Sequence, residues 1–261
     1  MTNRLVIGAA SGMGEAVARR FARASVAGDR LLLADVSVDR LKPLADELGA
    51  EYISCDITSD ADVAATVETL GEVDAAVLTA GLSPSMAPGR TILEVNLTGT
   101  ARVAEALLPR MRAGGALVCF ASTASYYYDA AHLSAQLDEP RNPQLYEALA
   151  AVGAEVDNTG LAYSISKFGV RRYVERAAAA WGARGVRIVS VSPGLIETPM
   201  GAQEFAQQPH MKTILELTPL KRQASADEVA AVACFLASPE ASFVTGVDLL
   251  VDGGSVSAMK P

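Results

Sequence analysis

The sequence predicts one doubly wound α/β domain, a parallel sheet of about seven strands with helices on both faces. Three observations carry this. Short apolar runs alternate with longer amphipathic ones along all 261 residues. The short runs are continuously apolar, as in strands covered on both faces, and do not alternate with polar residues. No Gly/Ser/Pro-rich linker, internal repeat or low-complexity tract divides the chain, so 1–261 reads as a single domain.

The elements follow in order. RLVIG is strand-like, and GEAVARRFARASV is a helix with Ala16, Phe21 and Ala24 set against Arg19, Arg20 and Arg23. LLLAD at 31–35 is the second strand and SVDRLKPLADEL its helix. YISCD, VDAAVLTAG, GALVCFAS and VRIVSVSPG repeat the strand pattern. TILEVNLTGTARVAEALLPRM and YSISKFGVRRYVERAAAAWG are long helices between them. SADEVAAVACFLAS opens on a capping box, Ser225 and Glu228, and stops at Pro239. VDLLVDGG closes the sheet. Two stretches break the alternation. Residues 126–160 form an insertion with a short helix in PQLYEALAAVGAEV, and 197–218 form an irregular segment carrying Met200, Phe205, Met211 and Ile214. Long excursions inside compact domains are unusual, so both are candidate functional loops. The second is either a lid over substrate or the packing face of an amphipathic helix.

Composition narrows the partners. Half of the residues are hydrophobic, enough for a sizeable core, and the formal net charge is −8. No block of Lys/Arg occurs, which argues against nucleic acid or an anionic membrane as partner. No run approaches the roughly 18 apolar residues of a membrane helix. Cys55, Cys119 and Cys234 are far apart and form no CxxC, so they read as free thiols. MTNRLVIGAASGMG breaks on glycine too early for a signal-peptide core, which makes the cytoplasm the expected compartment. The two histidines, His132 and His210, lie in unrelated segments, and no metal site is expected.

GAASGMG follows the first strand, with Gly8, Gly12 and Gly14 spaced G-x3-G-x-G. Glycines there let the backbone turn and approach a pyrophosphate, which the next helix N-terminus then meets with free N–H groups. Asp35 ends the second strand, 21 residues beyond Gly14. A carboxylate there can accept both adenosine ribose hydroxyls and repels a 2′-phosphate. Ser11, not a basic residue, precedes Gly12, and no arginine follows Asp35 in VSVD, so the expected cofactor is NAD and not NADP. Asp56, in CDIT, either accepts from the adenine amino group or caps the following helix.

Ser122 ends a strand, with Tyr126, Tyr127 and Tyr128 close behind. A tyrosine catalyst needs a nearby cation, because a phenol ordinarily titrates near pH ~10. A lysine at i+4 on a helix supplies one. Of the seven tyrosines only Tyr163 has it, in YSISK ending at Lys167.

The glycine loop, Asn96 in EVNLTG, Ser122, Tyr163-x3-Lys167 and SPGLIETPM, in this order, resemble the short-chain dehydrogenase/reductases over essentially the whole chain. The resemblance implies that Tyr163 exchanges a proton with the substrate oxygen while Ser122 hydrogen-bonds it. It also implies that Lys167 lowers the tyrosine pKa and holds the nicotinamide ribose, and that Asn96 anchors a water leading from Lys167 to solvent. By the same likeness the cofactor meets Gly8, Ser11, Gly12, Met13, Gly14, Asp35, Asp56, Ile57, Ala80, Gly81, Tyr163 and Lys167. Pro193, Gly194, Ile196 and Thr198 fall on the stretch that positions the carboxamide.

The sequence departs from the family at LTAG, where Leu78 and Thr79 replace two asparagines, which is expected to lose side-chain bonds bracing the sheet. Ile7 stands where the family has threonine. Ser122 and Tyr163 are 41 residues apart, and this gap resembles the bacterial 3-alpha-hydroxysteroid dehydrogenase/carbonyl reductases. That subgroup implies an NAD-linked secondary alcohol/ketone oxidoreductase acting on a hydrophobic, cyclic or steroid-like substrate. There the insertion covers the helix pair, here Asn96–Met111 and Tyr163–Trp181, that usually builds tetramers, so a homodimer is expected. The same chemistry on a small diol, sugar or acyl thioester is the alternative. A non-catalytic NAD sensor is disfavoured because all four catalytic-type residues are kept. Within the insertion, His132 and the tyrosine triplet form either a substrate wall near the carbonyl or ordinary packing.

Overall fold

The computed structural model describes residues 1–208 and 210–259. Its strands are β1 (Asn3–Ile7), β2 (Arg30–Asp35), β3 (Glu51–Ser54), β4 (Val73–Leu78), β5 (Met111–Phe120), β6 (Arg187–Pro193), β7 (Ile196–Glu197), β8 (Ala224–Ser225) and β9 (Asp248–Val251). Seven of them form one parallel sheet in the order β3-β2-β1-β4-β5-β6-β9, and β7 pairs with β8 alone. The predicted α/β class and strand count hold.

The sheet explains its own sequence pattern. Along β1, Leu5 and Ile7 enter the core on one face while Val6 enters the core on the other. Along β5, Leu117 and Cys119 likewise separate from Val118 and Phe120. Side chains alternate faces along a strand, and both faces are covered, so every position must be apolar. Strand order reverses between β1 and β4, which opens a crevice at their carboxyl ends. The glycine loop lies at that crevice.

Gly8 has φ +87°, and a Cβ there would meet Ala80 N. Gly14 lies so close to the Gly8 carbonyl that a Cβ would run into it, and it would also come within 2.5 Å of Thr79 Oγ1. The same loop corrects one expectation. Thr79 Oγ1 lies 3.1 Å from the Ile7 carbonyl and 3.0 Å from the Gly8 carbonyl. Its hydroxyl therefore ties β4 to β1, so the brace expected to be lost is made by a shorter side chain.

Two further expectations change. The long helix before β5 is interrupted: Gly89–Leu93 and Gly99–Leu107 flank a π turn at Glu94–Thr98, which contains Asn96. Residues 197–218 are not irregular but mostly two helices, Pro199–Gln207 and His210–Leu217. Proline and glycine in PMGAQ obscured the first. Pro199 sits at a helix start, where its missing N–H costs nothing, and Thr198 caps the turn through Gly201 N at 3.0 Å. The Ser225–Glu228 capping box forms as predicted. All three cysteines are free.

The insertion packs over the helix pair. Thr98 Oγ1 donates to the Pro140 carbonyl at 2.8 Å. Asp138 pairs with Arg172 and Arg176 on the tyrosine helix, Thr159–Gly182. Leu133, Leu137, Leu145 and Leu149 bury into the core on that side. No helix among the described residues is long and apolar enough to cross a membrane.

Candidate active site

Ser122 lies just past β5, between two backbone bonds that continue the sheet: Ala121 N to the Val191 carbonyl at 2.8 Å and Thr123 N to the Pro193 carbonyl at 3.1 Å. These ties fix the serine at the strand end, where its Oγ accepts from Ala124 N at 3.2 Å. Tyr163 stands on the first turns of its helix, which Asn158 caps by accepting from Gly160 N and Leu161 N. The Ser122 hydroxyl and the Tyr163 phenol line the same cavity, and the hydroxyl favours the phenolate form. Although 41 residues separate them in sequence, the two side chains share one cavity.

Lys167 is buried one turn on, and its Nζ donates to the Phe120 carbonyl at 2.8 Å. Nζ is 5.8 Å from the Tyr163 ring centroid. A Cβ on Gly81 would approach Nζ to 3.3 Å and Asn96 Oδ1 to 3.1 Å, so only glycine keeps this passage open. Asn96 is fully buried. Its Oδ1 accepts from Leu82 N at 2.7 Å, and its Nδ2 donates to the Leu82 carbonyl at 2.9 Å and to Ser166 Oγ at 3.2 Å. Those bonds hold the loop after β4 against the tyrosine helix, and the π turn re-aims Asn96 to make them.

The electrostatics depart from the simplest expectation. Burial pushes Lys167 down to about 8. Burial and the Glu204 carboxylate push the Tyr163 phenol up, while the Ser122 hydroxyl opposes them. Phenol is therefore the resting form at neutral pH, suited to giving a proton. The reverse reaction needs phenolate, so kcat/KM for alcohol oxidation is expected to climb about tenfold per pH unit from pH ~6 to pH ~9. A profile flat across that range would contradict the assignment of Tyr163 as the base.

Ser122 and Tyr163 open onto a cavity of about 660 Å³. Met200, Phe205, Met211 and Ile214 all line it, as do Tyr127, Tyr128, Met13 and Leu161. Pro193, Gly194, Ile196 and Thr198 form another wall, with Gly194 pressed against Asp252. The tyrosine triplet divides. Tyr126 turns away to donate to Asp248 Oδ2 at 2.7 Å, under the Arg171 guanidinium 3.5 Å from its ring centroid. His132 is exposed, meets Tyr128 edge-on and is not among the residues lining the cavity.

The dinucleotide side of the crevice fits a pyrophosphate cofactor. Ser11 precedes the helix Gly12–Arg23 without capping it by its side chain, which leaves the first N–H groups facing outward. Gly12 has φ +57° and stands opposite Thr198. Asp35 lies beside the loop, accepting from Ala10 N at 3.0 Å and Ser37 N at 2.9 Å. Asp56 is exposed and accepts from Thr58 N and Oγ1, both at 2.8 Å. The cap of the following helix is Ser59, which settles the open alternative against Asp56 as the cap. Ile57 is buried against Gly99.

Sequence reasoning missed Glu204 and Ser83. Glu204 lines the cavity and has its pKa raised by burial, which the Ser83 hydroxyl opposes. The available signal was its spacing four residues past Met200 in PMGAQEFAQ, which puts a carboxylate on the same helix face.

A family model described as Enoyl-(Acyl carrier protein) reductase matches residues 8–133 and 147–256, leaving out part of the insertion. A relative from Alternaria brassicicola, the short-chain dehydrogenase/reductase bsc3, is 35% identical over 97% of this chain and 95% of its own. The chain is a short-chain dehydrogenase/reductase. D-threitol dehydrogenase of Mycolicibacterium smegmatis is 32% identical over 96% of this chain and 91% of its own. The solved 3-alpha-hydroxysteroid dehydrogenase of Pseudomonas sp. B-0831, complexed with NADH, superposes with TM-score 0.82 at 28% identity, covering 99% and 98% of the two chains. As a member of this family, the chain is an oxidoreductase that acts on alcohol or ketone substrates with a nicotinamide cofactor.

Proposed function

We propose that this dehydrogenase interconverts a secondary alcohol and a ketone on a hydrophobic, cyclic or steroid-like substrate, using NAD. The observation that carries the reading is the largely apolar 660 Å³ cavity with Ser122 and Tyr163 in its wall. The nicotinamide cofactor, when bound, supplies or takes up the hydride. Tyr163 gives its proton to the carbonyl oxygen, or removes one from the alcohol, and Ser122 donates a hydrogen bond to that oxygen as charge develops on it. Met200, Phe205, Met211 and Ile214 exclude water from the reacting centre. NADH formation, screened over sterols, cyclic alcohols and aliphatic alcohols, tests the substrate class. Activity confined to aliphatic alcohols would overturn it.

The oligomer that this packing supports is a homodimer. The insertion occupies the outer face of the tyrosine helix through Asp138, Arg172 and Arg176. Phe243 is fully exposed near the free edge of β9, with Phe235, Val247 and Leu249 also exposed nearby. Light scattering is expected to give twice the 27.1 kDa chain mass, and Phe243→Glu to shift it toward the monomer. A tetramer, or a dimer indifferent to Phe243→Glu, would contradict this.

A further inference from the structure

Among the described residues, Glu204 is the one ionic side chain lining the cavity. It projects from the helix Pro199–Gln207, on the same face as Met200 and next to Phe205. The polar group acting on it is the Ser83 hydroxyl, and Ser83 is itself buried, with its Oγ 3.1 Å from Ser85 Oγ. One hydroxyl has one proton, so Ser83 satisfies at most a single acceptor site. An ionised carboxylate offers about four. Glu204 and Tyr163 line the same cavity, so the carboxylate faces the space in which substrate reacts.

A purely hydrocarbon substrate filling this cavity would strip the remaining water from Glu204 and return nothing. Burying a charge without a partner is among the costliest steps a site can take. A ligand hydroxyl aimed at the carboxylate reverses that sign. Resting on the alcohol–ketone reading above, we infer that Glu204 is a specificity-determining residue. It accepts a hydrogen bond from a second hydroxyl of the substrate, away from the reacting carbon, and repels substrates that carry a carboxylate there. The substrate class narrows from a hydrophobic secondary alcohol to a hydroxylated one, in which an apolar ring spans two polar ends.

The test uses the intact enzyme with matched mono-alcohols, diols and hydroxy acids built on cyclohexane and on the steroid nucleus. Wild type should favour the best diol over its mono-alcohol in kcat/KM by about tenfold or more, and disfavour the hydroxy acid. Glu204→Leu should collapse the diol preference. Glu204→Gln, which keeps an acceptor but loses the charge, should retain part of it and raise the hydroxy acid relative to the mono-alcohol by about tenfold. NADH fluorescence on each variant reports an intact fold. Mono-alcohols and diols turned over equally, or ratios unmoved in both variants, would overturn the inference and leave the reaction standing. A wild-type enzyme that turns over none of these alcohols would overturn both.

Discussion

Replacing Tyr163 by phenylalanine is expected to lower kcat by about 10²–10⁴-fold while NADH still binds, because only the exchangeable proton is removed. The ring is part of the cavity wall, and phenylalanine keeps its volume and packing. The helix that carries it is held independently, by the Asn158 cap and by Lys167 on the Phe120 carbonyl. Ser122→Ala should act differently. It removes the hydroxyl that favours phenolate, so the oxidation profile should also move to higher pH. Single-turnover rates at several pH values, beside fluorescence titration of NADH, separate the two. A Tyr163→Phe enzyme with near-wild-type turnover would remove the tyrosine from the chemistry, and loss of NADH binding would mean that the phenol instead holds the site together.

The sheet was legible in the sequence because burial on both faces leaves an unbroken apolar run, as LVI in β1 and LLLA in β2 show. Tyr163 was legible because helix geometry places i+4 on one face, and only one tyrosine has lysine there. What the sequence hid depends on a third dimension. Thr79 braces two carbonyls 71 and 72 residues away, and nothing local to LTAG announces it. The three adjacent tyrosines look equivalent in sequence, yet Tyr126 bonds Asp248, 122 residues on, while Tyr127 and Tyr128 face the cavity. Glu204 looks like the polar side of an amphipathic helix. It becomes a candidate site residue only because the fold turns that side of the helix toward the cavity.

Asp35 is expected to make NADP bind roughly 100- to 1,000-fold more weakly than NAD. Unit charges about 4 Å apart at an effective dielectric near 20 repel by ~4 kcal/mol, and ~1.4 kcal/mol is tenfold in affinity. The carboxylate cannot swing aside to relieve this. One oxygen accepts from Ala10 N in the glycine loop and the other from Ser37 N, which pins the group at the carboxyl end of β2. Each oxygen keeps a further acceptor site, so ribose hydroxyls can be received without breaking either tie. Asp35→Asn removes the charge and one of the two acceptors. The ratio of NADP to NAD affinity should therefore rise by at least about tenfold, alongside a modest fall in thermal stability from the lost backbone bond. Adding Val36→Arg, at an exposed position beside it, should carry the preference further toward NADP. Equal affinities in the wild-type protein would mean that Asp35 only braces the glycine loop, and then Asp35→Asn should alter stability without altering the cofactor ratio.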